Sequence, residues 1–276
     1  MAPIANWVAG GTGWRVQDVV CTAGPQDRPF EEQHDGICIA AVTQGTFRYR
    51  TAHGVAVLAA GAVLLGNDHC GFECDHEHSH GDRCLSFHFT PEFLDTAMAP
   101  ASGRTRLPFR VNHLPPLGSM LPIVAACEAA RGRGDDAAHF EELAIALAGR
   151  VLGVLSTSRP VERLPSTRDQ RRIADVVHRI EEASCELGLA ELARGASMSP
   201  WHFLRTFRAV VGTTPHRFIL QRRLHKAAIR LRMSNDRVSE IAWDEGFDDL
   251  STFNRHFKQV MGVSPTLFRV GMPSRC

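Results

Sequence analysis

Residues 199–218, SPWHFLRTFRAVVGTTPHRF, and residues 249–268, DLSTFNRHFKQVMGVSPTLF, are two versions of one unit. At a shift of 50 positions Phe203 falls on Phe253, Arg205 on Arg255, Phe207 on Phe257, Gly212 on Gly262, Pro215 on Pro265 and Phe218 on Phe268. Upstream the shift is 49, with Leu192-Ala193 on Ile241-Ala242. The extra residue lies in a short Gly-containing segment of each copy, GASMS (195–199) and GFDDL (246–250). A length change there, between two apolar-periodic stretches, predicts a tight turn between two helices. Two helix-turn-helix units in tandem point to a reader of DNA.

Periodicity defines the faces of the second helix in each unit. In the first copy Phe203, Phe207, Val210 and Val211 form one stripe at 3.6 residues per turn, with Leu204 at its edge. Ser199-Pro200 is a start signal, a hydroxyl cap followed by proline at the first helical position, and Gly212 is a stop. The opposite face carries Trp201, Arg205 and Ala209, flanked by His202 and Arg208. In the second copy Phe253, Phe257, Val260 and Met261, joined by Leu250, form the core stripe. Ser251, Arg255 and Gln259 face outward, flanked by Thr252, Asn254 and Lys258. Arginine pairs bidentately with guanine and asparagine with adenine, whereas Arg208 and Lys258, at the edges, are placed for phosphates. A charged outer face on a single amphipathic helix needs no ligand. The same outward arginine behind the same turn, twice, is harder to explain by solvation.

The stretch IAWDEGFDDLSTFNRHFKQVMGVSPTLFR (241–269) resembles the signature of AraC/XylS-type transcription regulators, and GLAELARGASMSPWHFLRTFRAVVGTTPHRFI (188–219) resembles that family's first helix-turn-helix. The resemblance covers roughly residues 170–270. It implies a C-terminal all-α domain of seven helices whose two recognition helices enter successive major grooves on one face of the duplex. It also implies a linker helix between the units, here Pro215 to about Met233. Carried over by position, the DNA-facing residues are Trp201, His202, Leu204 and Arg205 in the first unit and Ser251, Thr252, Asn254 and Arg255 in the second. Trp201 stands where the second copy has Ser251, so the two helices should read different sequences. The partners implied are double-stranded promoter DNA and RNA polymerase, with an activator's role and a cupin-like β-barrel sensor ahead of the reader.

The charge distribution agrees. Residues 165–276 carry 18 Lys+Arg and 12 Asp+Glu, a balance of +6, against −5 for residues 1–164. A cationic C-terminal part suits phosphate binding; uneven scatter between domains is the plain alternative. Neither a long apolar run nor a signal-peptide pattern is present, which points to the cytoplasm and no membrane. The domain limits expected are 1–157 for the sensor with its trailing helices, 158–168 for a polar, proline-containing linker, and 169–276 for the reader. The fold class is α+β.

From about Trp14 to Phe89, short apolar stretches separated by turns (GICIAAV, GTFRYR, GVAVLAAGAVLLG, RCLSFHF) suit a small β-sandwich or barrel punctuated by Gly45, Gly54, Gly61 and Gly66. Helices follow near 118–132 and 136–156. The second either pairs two copies of the chain in a homodimer or covers the barrel.

One segment of the barrel stands out: HCGFECDHEHSHGDRC, residues 69–84. The chain has 8 Cys and 14 His, and eight of these lie between His69 and His88. Thiolate and imidazole at this density suit zinc or another thiophilic ion. The candidate ligands are Cys70, Cys74, His78 and Cys84, with His76 and His80 as alternates. The spacing matches no standard zinc finger, and two other readings stay open: a redox pair such as Cys70–Cys74, or a solvated loop. Cys21, Cys38, Cys127, Cys185 and Cys276 are scattered, as expected of small buried hydrophobes. A metal-dependent cupin enzyme with His34, His76 and His78 as ligands is a competing class. The H-x-H-x3–4-E pattern it would need is missing, because Ser79-His80-Gly81-Asp82 follows His78. A methyl-accepting DNA-repair regulator, using a metal-bound cysteine, is a third. We expect no catalysis.

Overall fold

The computed structural model describes residues 3–76, 81–102, 109–157, 165–182 and 188–270. The N-terminal part comprises β1 (Ile4–Gly11), β2 (Trp14–Cys21), β3 (Phe30–Gln33), β4 (Ile37–Thr51), β5 (Gly54–Ala59), β6 (Val63–Gly66), β7 (Gly71–Asp75), β8 (Asp82–Phe89), α1 (Pro91–Ser102), β9 (His113–Leu114), α2 (Leu121–Arg133) and α3 (Ala137–Thr157). All strand pairings are antiparallel. One sheet runs β1-β2-β8-β4-β6-β9; the far half of β4 also pairs with β5 and β7, and β7 with β3. GICIAAV and GTFRYR, expected as two stretches split at Gly45, are one strand of 15 residues. Gly45 (φ +74°) instead follows a bulge at Val42/Gln44, which lets one strand bend into two sheets. The first strand begins at Ile4, earlier than the alternation suggests.

Period-two alternation sorts the strand side chains into two cores. Leu85, Phe87 and Phe89 of β8, with Val16 and Ile39, pack beneath Phe140, Leu147 and Val151 of α3. Of its two expected roles, α3 is seen covering the sheet. The opposite face, with Cys38, Val42, Phe47, Tyr49, Leu64, Cys74 and Cys84, forms the barrel interior.

The C-terminal part is α4 (Thr167–Glu182), α5 (Leu189–Gly195), α6 (Pro200–Val211), α7 (Pro215–Met233), α8 (Val238–Asp244), α9 (Leu250–Met261) and α10 (Pro265–Val270). α4 starts at Thr167, inside the stretch expected as linker, most of which lies outside the described residues. The Ser199 side chain caps α6 by accepting from the His202 N–H, and Asp249 caps α9 by accepting from the Ser251 and Thr252 N–H groups. Gly212 and Gly262, both at φ +81°, end the two helices. Phe203, Phe207 and Phe218 fill the first unit; Phe253, Phe257 and Phe268 fill the second.

The turns of the two units share one geometry. Ser197 (φ +52°) and Gly246 (φ +79°) are equivalent at the shift of 49. The Ser197 N–H donates to Arg194 O and that of Gly246 to Trp243 O, both at 2.9 Å. The next N–H groups, of Met198 and Phe247, reach Ala193 O and Ala242 O. The first copy's glycine, Gly195, is thus not the counterpart of Gly246, and the inserted residue falls after the turn. A Cβ on Gly246 would lie 3.1 Å from the Arg223 guanidinium carbon, and Arg223 donates to Gly246 O at 2.9 Å. Gly246→Val should therefore cost roughly 1–3 kcal/mol. Gly246→Asn should cost less, because asparagine tolerates positive φ. Thermal melting of the two variants checks the order; equal, unchanged melting points would refute this account of the turn.

Candidate functional site

α6 and α9 present matching outer faces. Trp201, His202, Leu204, Arg205 and Arg208 are exposed on α6; Ser251, Asn254, Arg255 and Lys258 are exposed on α9, with Thr252 half-buried at its cap. The phenylalanine stripe of each helix is fully buried. Burial of one face therefore fixes the direction of the other. One feature escapes the sequence: the Arg205 guanidinium stacks over the Trp201 ring, 4.8 Å from its centroid. Trp201 remains 65% exposed, so the pair forms a ready platform on the surface. Ser251 gives Arg255 no such support.

A second site lies inside the barrel, a cavity of about 550 Å³ whose lining includes Cys21, Cys38, Cys74, Cys84, His34, His76, Asp82 and His88. Strand alternation accounts for the lining. Asp82, Cys84, Ser86 and His88 share one face of β8, and Cys21 lies opposite Asp82 in the β2–β8 register. His76 is buried and joins two of these groups: its Nε2 hydrogen-bonds the Asp82 carboxylate, and its Nδ1 lies 4.0 Å from the Cys21 sulfur. The Cys84 thiol donates to the other Asp82 oxygen at 3.4 Å. One ligand atom each from Cys21, His76 and Asp82 lie within 4.8 Å of one another. Burial opposes a charge on His76, but the hydrogen bonds to Asp82 and Cys21 outweigh it and raise its pKa to about 9.

The predicted metal ligands are divided by this arrangement. Cys74 and Cys84 are buried on the cavity wall, and His76, an alternate, is in the cluster. Cys70 is exposed and outside the lining, because it lies in the turn before β7, where its N–H donates to Asn67 O. His78 and His80 lie outside the described residues. Cys70 and Cys74 are both free here, the first exposed and the second buried. Burial, then the Asp82 charge, pushes the Cys74 and Cys84 thiols well up, opposite to what a reactive cysteine needs. His34, weighed as an enzyme ligand, is wedged between Tyr49, with Nε2 2.8 Å from the hydroxyl, and the stacked Phe72 ring. Burial lowers its pKa to about 4. Cys21 and Asp82 stand in this cluster outside the expected ligand set. Cys21 is distant in sequence, but the alternation of DRCLSFHF would have put Asp82 on the face of Cys84.

The cavity and the reader meet through polar contacts. Gly45 pairs with Asp82 in the β4–β8 register, and its N–H donates to Glu181 of α4 at 3.0 Å. Glu181 faces Arg222 of α7 at 3.5 Å. Arg222 also donates to Thr43 O at 3.1 Å and lies 3.0 Å from His225 Nδ1. The other His225 nitrogen contacts Glu128 of α2 at 2.5 Å. Apolar contacts flank this line. Val57 and Ala59 of β5 join the core of the first unit, and Leu121 and Ala125 of α2 join that of the second.

Two family models match the chain. One described as "Helix-turn-helix domain" matches residues 192–270, and one described as "AraC-like ligand binding domain" matches residues 19–147. Among curated proteins, the Transposon Tn10 TetD protein of Escherichia coli is 35% identical over 34% of this chain and 66% of its own length. The HTH-type transcriptional activator AarP of Providencia stuartii is 36% identical over 30% of this chain and 62% of its own. The chain thus spans less than two thirds of the length of these relatives. Among solved structures, the DNA-binding domain of AdpA in complex with a target DNA is 30% identical, with 36% of this chain and 90% of that one covered and a TM-score of 0.35. ToxT from Vibrio cholerae is 10% identical, with 94% and 98% covered and a TM-score of 0.38. No helix among the described residues is long and apolar enough to cross a membrane.

Proposed function

Because the chain belongs to the AraC family of DNA-binding transcription regulators, we propose that it reads promoter DNA through α6 and α9 in response to an effector held in the barrel cavity. The observation that carries this is the pair of matched helices, each with a buried phenylalanine stripe and an exposed central arginine. Arg205, Asn254 and Arg255 are the base readers, helped by Trp201, His202, Leu204, Ser251 and Thr252. Arg208 and Lys258 hold phosphates. The family consists of regulators rather than enzymes, so the cavity's role is to sense. A promoter target implies RNA polymerase as a partner and the cytoplasm as the location. A homodimer through α3 would have to use the half-buried margins of that helix, Ile145, Leu152 and Leu155, because its inner face packs on the sheet.

The line from Asp82 through Gly45, Glu181 and Arg222 supplies the route between the sites. α7 joins the two units, so a shift at Arg222 changes the angle between the recognition helices.

Offered a pool of random duplexes, the full chain should enrich a site with two elements one helical turn, about 10 base pairs, apart. Enrichment of a single element, or of none, overturns the tandem reading. Arg208→Ala and Lys258→Ala should weaken all sequences evenly and each reduce the salt slope by about 1. Loss of preference at particular base pairs would instead make either residue a base reader.

A further inference from the structure

Resting on the regulator reading above, we infer that the barrel cavity is a zinc-class metal site formed by Cys21, His76, Asp82 and Cys84, and that this ion is the effector. Cys21 ends β2, His76 follows β7, and Asp82 and Cys84 share one face of β8. The fold thus brings these four donors from three strands to one buried wall. Ligand atoms of the first three already lie within 4.8 Å of one another, and the Cys84 sulfur lies 3.4 Å from Asp82. Two sulfurs, one imidazole and one carboxylate make a tetrahedral set that suits Zn²⁺ and excludes Mg²⁺ or Ca²⁺, which require oxygen. The closed set describes a bound or sensed ion rather than a catalytic one.

Binding requires Cys21 and Cys84 as thiolates and His76 as neutral imidazole, so their protons leave to the buffer as the dication enters. The Asp82 carboxylate then turns from His76 to the ion. Asp82 is the cross-strand partner of Gly45, whose Cβ, were there one, would lie 2.9 Å from Asp82 Cα. So close a backbone contact carries a movement of Asp82 to the Gly45 N–H, and from there to Glu181 and Arg222.

The test uses the full-length protein stripped by chelator and titrated with Zn²⁺ against a chromophoric competitor, with Co²⁺ as a spectroscopic substitute. One equivalent per chain, thiolate-to-cobalt charge-transfer absorption and proton release are expected. Cys21→Ser, His76→Gln and Asp82→Asn should each weaken Zn²⁺ by at least the ~100-fold that loss of an outer-shell partner can cost. Cys70→Ser should leave it unchanged. The wild-type cobalt spectrum stands even if a variant fails to fold. Wild-type protein that binds no Zn²⁺ or Co²⁺, or that binds them without thiolate absorption, overturns the inference. So does full affinity in folded Cys21→Ser and His76→Gln. Zn²⁺ binding that leaves affinity for the selected duplex unchanged overturns the effector role. If metal fails while duplex binding persists, the regulator reading stands; if metal binds and no duplex is ever selected, that reading fails instead.

Discussion

Arg222→Met should cost about 3–5 kcal/mol of stability, the usual effect of removing one member of a buried ion pair. Arg222 is 8% exposed and ties three elements together: Glu181 on α4, Thr43 on β4 and His225 on its own helix. Methionine replaces its bulk, so the loss measures charge and hydrogen bonding rather than a cavity. The stranded group is Glu181, whose pKa burial already raises while Arg222 opposes the rise. Without Arg222 the opposing charge is gone, and the folded-state pKa climbs further above the unfolded value. A carboxyl raised on folding binds its proton more tightly in the native state, so stability increases as pH falls through that raised value. Thermal melts should therefore show Arg222→Met recovering part of its deficit at mildly acid pH, with the wild type gaining less. The double variant with Glu181→Gln should be less damaged than the two single effects added together, because no buried charge is left unpaired. DNA affinity in that double variant should no longer respond to the effector. Strict additivity, or an intact response, would show that the route does not pass through this pair.

The parts legible in the sequence are those fixed by short-range periodicity. The stripe Phe203-Phe207-Val210-Val211 and its copy specify buried faces, and a buried face determines its opposite, so the exposed positions of α6 and α9 follow. The cap at Ser199 and the stops at Gly212 and Gly262 follow from local backbone chemistry alone. The cavity is different. Its wall is assembled by register between strands far apart in the chain: Cys21 meets Asp82 across 61 positions because β2 and β8 are antiparallel neighbours. Of the ligands expected from the density of Cys and His along the chain, Cys74 and Cys84 lie on the cavity wall and Cys70 does not. That density ignored Cys21, which has no metal-binding neighbour in sequence. Gly45 misled for a related reason. Glycine marks a turn or a bulge alike, and only the partner strand β8 tells which.

Arg205→Ala and Arg255→Ala should each cost about 1–3 kcal/mol in binding the selected site and relax preference in one half of it, not the same half. The equal cost assumes one bidentate pair with guanine from each arginine. The structure adds an asymmetry. Arg205 rests on the Trp201 ring before any DNA arrives, whereas Arg255 has Ser251 at the matching position. A stacked guanidinium loses less freedom on docking, and an exposed cation–π contact contributes about 0.5–1 kcal/mol. Trp201→Ser makes the first helix resemble the second. It should weaken discrimination at the base pairs read by Arg205 and leave the other half-element untouched. Footprints and half-site substitutions in the duplex measure both effects. Two arginine changes acting on the same base pairs would show that α6 and α9 do not occupy separate grooves. If Trp201→Ser behaved like Arg255→Ala, the ring would be serving the second half-element, and the division of labour between the two helices would have to be redrawn.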